Sequence, residues 1–145
     1  MKMNDRPKSA TLTVAKAPCK SCPYRRDVPS GVWAASEYER LPAYDGNMGE
    51  QAWAGGRRLF DCHQSDGNLC AGWLACHGPD KLIALYLTPY IVPDAVWDYT
   101  TRVKLFKSGA QACAHGLRAI KWPAARARRM IDQLLRQRAR KGGKP

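Results

Sequence analysis

The sequence lacks a sustained apolar run in its first 18 residues. Secretory signals and membrane spans both require such a run, so we expect neither, and we expect the chain in a reducing cytoplasm without membrane contact. Thiols stay reduced in that compartment, which disfavours disulfides between the six cysteines. The chain also lacks internal repeats and long low-complexity tracts, and its 145 residues are typical of one domain.

Acidic residues are scarce, since 12 Asp and Glu stand against 24 Lys and Arg, for a formal net charge of +12. The excess is concentrated at the C-terminal end, where Asp132 is the single acid against ten Lys and Arg from Arg118 onward. Such a segment is typical of proteins with polyanionic partners. We therefore expect the partner to be a nucleic acid or a nucleic-acid-associated protein of a host cell.

The basic segment has the pattern of an amphipathic helix, which we predict over residues 123–140. Pro123 suits its first turn, and the apolar residues at helical spacing form one predicted buried stripe: Ala127, Met130, Ile131, Leu134 and Leu135. The predicted nucleic-acid-binding residues are Arg126, Arg129, Arg136 and Arg140 on the opposite face, with Lys121 and Arg128 nearby. The alternative is a solvated helix face without a partner.

The remaining pattern predicts a small, metal-stabilised, mainly α fold with irregular loops and a short, zinc-knuckle-like β-hairpin. Capping boxes at Ser36 and Ser108 predict two short helices, the first ended by Pro42 and the second by Gly116. Residues 81–88 and 94–99 are predicted as short helices, with strands as the alternative for apolar runs this short, and residues 44–56 are predicted as a loop. Residues 1–17 are predicted to be a flexible arm, residues 18–140 a single domain and residues 141–145 a disordered tail.

Five of the six cysteines lie between Cys19 and Cys76, at spacings typical of a metal site. Two thiolates of a C-x-x-C pair can reach one ion from a tight turn, and a distant second pair can complete the four-coordinate shell that zinc prefers. The predicted metal ligands are Cys19, Cys22, Cys62 and Cys70, with Cys76, His63 and His77 as second candidates. Zinc is the favoured metal, and a 4Fe-4S cluster is the alternative, because four thiolates can hold either.

Catalytic signatures are mostly missing. The C-x-x-C half of the zinc-deaminase signature is present, but the chain has no H-x-E or C-x-E triplet to supply the third ligand and the glutamate. We therefore expect a binding protein in preference to an enzyme. The alternatives are a redox-sensing iron-sulfur protein and a small metalloenzyme acting on nucleotides or nucleic acid, in which the candidate groups are His63, His77, His115, Asp61 and Asp66.

Several segments resemble an uncharacterised family of small cysteine-rich proteins, a domain of unknown function found in bacteria and their phages. They are residues 18–33 (PCKSCPYRRDVPSGVW), residues 62–64 (CHQ), residues 70–73 (CAGW) and residues 108–118 (SGAQACAHGLR). The resemblance implies one intact domain in a bacterial cytoplasm, or in the cytoplasm of the host if the protein is phage-encoded, and it implies no activity. The turn at residues 31–33 also resembles that of the WhiB-like iron-sulfur transcription regulators, which implies a cluster paired with a basic C-terminal segment.

Overall fold

Short helices joined by turns make up most of the fold. The computed structural model describes residue 7 and residues 9–142. Within these residues, the α-helices are α1 (Ala35–Glu39), α2 (Met48–Ala54), α3 (Ala71–His77), α4 (Ile83–Leu87), α5 (Asp94–Trp97), α6 (Gly109–Leu117) and α7 (Ala125–Gly142). Two 3₁₀ helices, Leu41–Tyr44 and Pro79–Lys81, lie between them. The prediction of a mainly helical fold is confirmed.

The sheet is small and parallel. Strand β1 (Thr13–Val14) pairs with strand β2 (Asn68–Leu69), with Thr13 opposite Asn68. An antiparallel bridge between Asp61 and Leu69 lies beside it, so β2 contacts an extended partner on each side. The predicted hairpin therefore has antiparallel pairing over a single bridge. The two-stranded sheet pairs β2 with a segment some 55 residues away, which no local sequence pattern predicts.

The predicted flexible arm extends over residues that have a defined place in the fold. Leu12 is fully buried, and its amide donates to the carbonyl of Ile91 at 2.8 Å. The amide of Ile91 in turn donates to Ala10. Residues 10–14 are thus part of the packed structure, because Leu12 has apolar neighbours to bury against that are distant in sequence. Residues 1–6 and 8 of the predicted arm lie outside the described residues.

Two expected local features differ in the structure. Residues 44–56, predicted as a loop, contain α2, which begins at a capping box formed by Asn47 and Glu50. The glycines that indicated a loop lie at its edges, and Gly55 ends the helix in the left-handed conformation at φ 96°. The capping box predicted at Ser36 does not form, because α1 begins two residues earlier, after Ala34, with no side-chain cap.

Helix α6 begins as predicted but continues further. The Ser108 hydroxyl accepts from the amide of Gln111 at 3.1 Å, as its cap pattern indicates. Gly116 lies within the helix and does not end it as predicted. A Cβ at this position would collide with the ring of Tyr38. Gly116 is therefore a close-packing position between α1 and α6, where the absence of a Cβ lets the two helices approach.

Helix α7 extends from Ala125 to Gly142, close to the predicted range. Ala127 and Leu134 are buried, and Met130 and Ile131 are partly buried against the core. Leu135, predicted to belong to the stripe, is 56% exposed, because it lies at the edge of the buried face. The helix includes residues 141 and 142 of the predicted disordered tail, and residues 143–145 lie outside the described residues.

The hydrophobic core combines residues from most of the described chain. Aromatic rings form its centre, where Phe60 contacts Tyr24 and Tyr44 edge-on at centroid distances of 6.1 and 5.9 Å and stacks on Trp73 at 6.4 Å. Among the described residues, no helix combines the length and apolar composition that crossing a bilayer requires.

Candidate functional site

The first cysteine pair lies in a tight turn. The amide of Cys22 donates to the carbonyl of Cys19 at 3.0 Å, and the amide of Arg25 donates to the carbonyl of Cys22 at the same distance. Ser21, between the cysteines, is fully buried, and its carbonyl accepts from the indole nitrogen of Trp33 at 2.7 Å. Hydrogen bonds from neighbouring segments therefore fix the turn that presents both thiols.

The second pair is presented by the antiparallel segment. The amide of Cys62 donates to Asn68 and the amide of Cys70 donates to Phe60, both at 2.9 Å. The connecting loop turns at Gly67, whose φ of 84° favours glycine. Cys62 and Cys70 thus each lie next to the Asp61–Leu69 bridge, although seven residues separate them in sequence.

The four predicted ligand thiols are connected by side-chain contacts. The Sγ atoms of Cys22 and Cys70 are 3.8 Å apart, and the Cys19 thiol interacts with those of both Cys22 and Cys62. These interactions link the four thiols in the order Cys62–Cys19–Cys22–Cys70, with a measured sulfur–sulfur contact between Cys22 and Cys70. Gly72 makes the Cys22–Cys70 approach possible, because a Cβ at this position would collide with the sulfur of Cys22.

Interactions between thiols and burial favour the protonated form of Cys19, Cys22 and Cys62. The hydrogen bond from Cys22 raises the pKa of Cys19, burial raises the pKa of Cys22 well above its usual value, and the hydrogen bond with Cys19 raises the pKa of Cys62. Backbone amides oppose this effect, including the Ser65 N–H that donates to the Cys62 sulfur at 3.3 Å. Neighbouring neutral thiols stabilise one another little, whereas amide donors would stabilise the thiolate form.

The cluster does not have metal-site geometry as it stands. Among the described residues, no group of three or more His, Cys, Asp or Glu side chains is placed so that it could hold a metal ion without adjustment. The fold thus brings the predicted ligands near one another. The Cys22–Cys70 pair has the shortest measured sulfur–sulfur separation, and Cys62 lies at the opposite end of the series from Cys70.

The second-choice ligands have other contacts. His63 Nε2 lies 2.7 Å from a carboxylate oxygen of Glu37, and its ring packs on Trp33 at a centroid distance of 4.6 Å. His77 Nε2 lies 3.0 Å from the hydroxyl of Tyr24, while its Nδ1 lies 3.5 Å from a carboxylate oxygen of Asp45. Burial lowers the pKa of His77 to about 4, so its ring is neutral at pH 7.

The remaining cysteines and the third histidine lie apart from this series of contacts. Burial raises the pKa of Cys76 to about 12. Cys113 is half-buried on α6, and on the same helix His115 Nε2 lies 2.7 Å from the carbonyl of Val28. Cys113 is therefore a suitable control position for experiments on the other cysteines.

The basic helix presents the residues predicted to bind nucleic acid to solvent. All six of them are exposed, namely Lys121, Arg126, Arg128, Arg129, Arg136 and Arg140. Arg126 also donates to the carbonyl of Asp27. Among the described residues, no carboxylate forms an ion pair with Arg129, Arg136 or Arg140. The predicted face is therefore both accessible and electrostatically unpaired over the described structure.

The last turns of α7 contact the segments that carry the cysteines. Lys141 Nζ donates to the carbonyl of Gln64, in the loop between Cys62 and Cys70, at 2.9 Å. The guanidinium of Arg138 lies over the ring of Trp33 at 5.7 Å, and the Gln64 amide donates to the Ser21 hydroxyl at 2.6 Å. A surface pocket next to these contacts is lined by Cys19, Gln64, Ser65, Gln137, Arg140 and Lys141. The cysteine cluster and the end of the basic helix thus share one surface.

Sequence reasoning missed the supporting residues of this site. Gly72 lies in the first turn of α3, where glycine costs helical stability, and that cost is the one signal that could have marked it as a packing position. The Tyr24–His77–Asp45 contacts and the link from Lys141 to Gln64 join residues far apart in the chain. Local pattern carries no information about such pairings.

Comparison with known proteins gives one match. The profile of a family described as "Family of unknown function (DUF6283)" matches residues 14–129, which is most of the chain. The chain belongs to this family. The matched range includes all six cysteines and the first turn of α7. No curated protein and no solved structure matches the chain.

Proposed function

We propose that this protein binds one zinc ion through Cys19, Cys22, Cys62 and Cys70, and that the zinc-stabilised fold presents the arginine face of α7 to nucleic acid. The observation that carries the proposal is the 3.8 Å contact between the Cys22 and Cys70 sulfurs, which joins two segments some 40 residues apart and has the interacting thiols of Cys19 and Cys62 beside it. Four thiols that the fold places near one another can become the ligands of a tetrahedral ion after side-chain rotation.

The separation of Cys22 and Cys70 supports a single ion over a cluster. Two thiolates bound to a tetrahedral zinc at about 2.3 Å lie about 3.8 Å apart, and the two Sγ atoms are separated by 3.8 Å. In a four-iron cluster each thiolate binds a different iron at the corner of a cube, which keeps the cysteine sulfurs further apart. Zinc is therefore the favoured metal, and a redox-sensing cluster is the less favoured alternative.

The backbone around the thiols also suits thiolate ligands. Amides of Tyr24, Gln64 and Ser65 donate to cysteine sulfurs, and these contacts lower the thiol pKa values against the dominant effect of burial and neighbouring thiols. Hydrogen bonds to ligand atoms orient the ligands and stabilise their charge when a metal binds. Completing the zinc coordination shell requires loss of the thiol protons and rotation of cysteine side chains. Cys19 already interacts with two of its three partners, Cys22 and Cys62.

The basic helix suits a polyanion because its exposed arginines lie on the face opposite its buried residues. Arg129, Arg136 and Arg140 have no ion pair among the described residues, so a phosphate would meet them without displacing a carboxylate. Four such contacts, with Arg126 included, predict a log–log salt slope of about −3. Phosphate contacts of this kind carry little sequence preference of their own.

The metal proposal is tested by counting metal and protons on the same preparation. Protein purified without oxygen should contain about one zinc and no iron or sulfide per chain. Zinc added to metal-free protein should release about four protons at pH 7, because the four cysteines bind a metal as thiolates and metal binding displaces their protons. Calorimetry in buffers of different ionisation enthalpy measures that number.

Matched variants identify the ligands. Cys62→Ser and Cys70→Ser should each lose stoichiometric zinc, whereas Cys113→Ser should retain it, since Cys113 lies on α6 away from the cluster. About four iron and four sulfide per chain would replace the zinc proposal with the cluster alternative. Zinc retained by both Cys62→Ser and Cys70→Ser would overturn the ligand assignment.

The nucleic-acid proposal is tested by charge reversal on the zinc-loaded chain. Arg129→Glu with Arg136→Glu should weaken binding to a labelled oligonucleotide at least tenfold, and it should reduce the salt slope. The control is Arg57→Glu with Arg58→Glu, which reverses two exposed arginines far from α7 in sequence. Fluorescence anisotropy at several salt concentrations gives both quantities. Equal effects of the two pairs would show that net charge, and not the α7 face, governs binding.

A further inference from the structure

Two tryptophans of this protein are almost fully exposed. Trp53 is 94% exposed and Trp122 is 87% exposed, whereas Trp33 and Trp73 are buried at 8% and 0%. An indole ring has a large apolar surface whose exposure to water is unfavourable. An exposed tryptophan that supports no packing is therefore a candidate contact for a partner, and the charges around each ring indicate the kind of partner.

The surroundings of the two rings differ in charge. Trp122 lies in the segment 118–124 between α6 and α7, next to exposed Lys121 and close in sequence to Arg118 and Arg126. Trp53 lies on α2, three residues after Glu50 and four before exposed Arg57, so a carboxylate and a cation both lie close to it in sequence. Trp122 thus combines an accessible aromatic ring with neighbouring cations and no neighbouring carboxylate, the pairing that proteins use to bind single-stranded nucleic acid.

The position of Trp122 places it at the start of the arginine face. Helix α7 begins three residues later, and Arg126, Arg129, Arg136 and Arg140 follow along about 21 Å of helix at 1.5 Å per residue. In a duplex, bases stack on one another and their flat surfaces are covered. An indole at this place can therefore stack fully only on an unpaired base, while the arginines contact the phosphates of the same strand.

We propose that Trp122 stacks on an unpaired base, so that the partner of the α7 face is single-stranded nucleic acid. This inference rests on the proposed function of α7 and specifies its substrate class. The ring provides the selection against duplex, since the arginines contact phosphates that both forms possess. Base stacking is tolerant of sequence because every base has a flat aromatic face. The combined site is therefore selective for strand state and nearly indifferent to sequence.

The test compares Trp122→Ala with Trp53→Ala on the full, zinc-loaded chain, using one labelled oligonucleotide as a single strand and as a duplex. Trp122→Ala should weaken single-strand binding about 5- to 150-fold and leave duplex binding nearly unchanged. Trp122→Phe should restore most of the loss, because phenylalanine also stacks. Trp53→Ala, an equally exposed ring, should bind both forms as the unmodified protein does.

A spectroscopic measurement tests the same contact directly. In a Trp53→Phe background, the single strand should quench the fluorescence of the remaining exposed indole, and the quenching should vanish in the variant that also carries Trp122→Phe. Binding that depends on Arg129 and Arg136 but is unaffected by Trp122→Ala would overturn this inference and leave the proposed function in place. No binding to either strand form would overturn both. Equal losses for single strand and duplex in Trp122→Ala would overturn the selection against duplex.

Discussion

Two regions of the molecule are held together by different means. The helical region is formed by α1, the 3₁₀ helix Leu41–Tyr44 and α6, and the cysteine region is formed by residues 18–33 and 60–77. In the helical region two glycines permit direct contact, with Gly116 against Tyr38 and Gly109 against the carbonyl of Leu41. In the cysteine region thiols interact beside the aromatic centre of the core, and the pKa values of Cys19, Cys22 and Cys62 are raised. The difference teaches that close helix contacts at glycines complete the first region, whereas the second combines aromatic packing with a group of interacting thiols.

His77 connects the two regions. On one side its ring contacts Tyr24 of the cysteine region, and on the other it faces Asp45. The Asp45 carboxylate accepts from the amides of Gly109 and Ala110 at 2.7 and 2.9 Å, in the first turn of α6. One buried, neutral histidine therefore contacts both the cysteine region and the residue that caps the longest helix of the helical region. Substitutions can therefore disturb the helical region, His77, the cysteine region and the contact of α7 with the cysteine region separately.

The largest effect is expected from Gly109→Ala in the helical region. The added Cβ would collide with the backbone carbonyl of Leu41, which cannot rotate away as a side chain could. The free energy of unfolding should fall by about 3 kcal/mol or more, measured by urea denaturation. The control is Gly49→Ala on α2, whose Cβ would meet nothing closer than 3.4 Å and should stabilise the helix by about 0.5–1 kcal/mol. Similar stability of the two variants would contradict the tight packing at Gly109.

Acid should break the connection at His77. Its folded-state pKa of about 4 lies below the unfolded value of 6.5, so the unfolded chain binds the extra proton between these values. The contribution is intact above pH 6.5 and is lost as the pH falls toward 4, by up to about 3 kcal/mol. The difference in unfolding free energy between the native protein and His77→Gln should therefore change across this window. Parallel stability curves for the two proteins would show that His77 is not the titrating group.

A smaller and more local effect is expected from Gly72→Ala in the cysteine region. The added methyl group would displace the sulfur of Cys22, and the loss of stability should be about 1–3 kcal/mol. Zinc affinity should fall together with stability, because the Cys22–Cys70 separation would change. Competition with a chromogenic chelator measures this, again with Gly49→Ala as the control. Loss of stability without loss of zinc affinity would separate the packing role of Gly72 from the proposed metal site.

The smallest effect is expected where α7 meets the cysteine region. Arg138→Met removes the cation from the ring of Trp33 but keeps an apolar side chain, and should cost about 0.5–1 kcal/mol. Hydrogen exchange should show faster opening of the last turns of α7, with α6 unaffected. Arg136→Met, on the opposite face of the helix, is the control and should change neither quantity. Equal exchange in both variants would mean that Arg138 does not hold the helix end.

The sequence predicted the extent of α7 and the start of α6, although the local patterns at Ser36 and Gly116 did not predict the helix boundaries there. The apolar spacing from Ala127 to Leu134 predicted α7 within about two residues at each end, because an amphipathic stripe follows from helix geometry alone. The cap at Ser108 formed as expected for the same reason. The glycines of residues 44–56, in contrast, indicated a loop where Asn47 and Glu50 begin α2, because the capping pair outweighs glycines placed at the helix edges.

The features of the candidate site also divide into those that local sequence patterns predict and those that they do not. Cysteine spacing and charge distribution, both read from the sequence, determined which side chains are candidates for a metal and for a polyanion. Only the tertiary structure decided that Cys22 meets Cys70, that β1 pairs with β2, that Lys141 contacts Gln64 and that Trp122 remains exposed. The physical reason is that spacing fixes the reach of a side chain within a few residues, whereas contacts between distant segments follow from how the whole core packs.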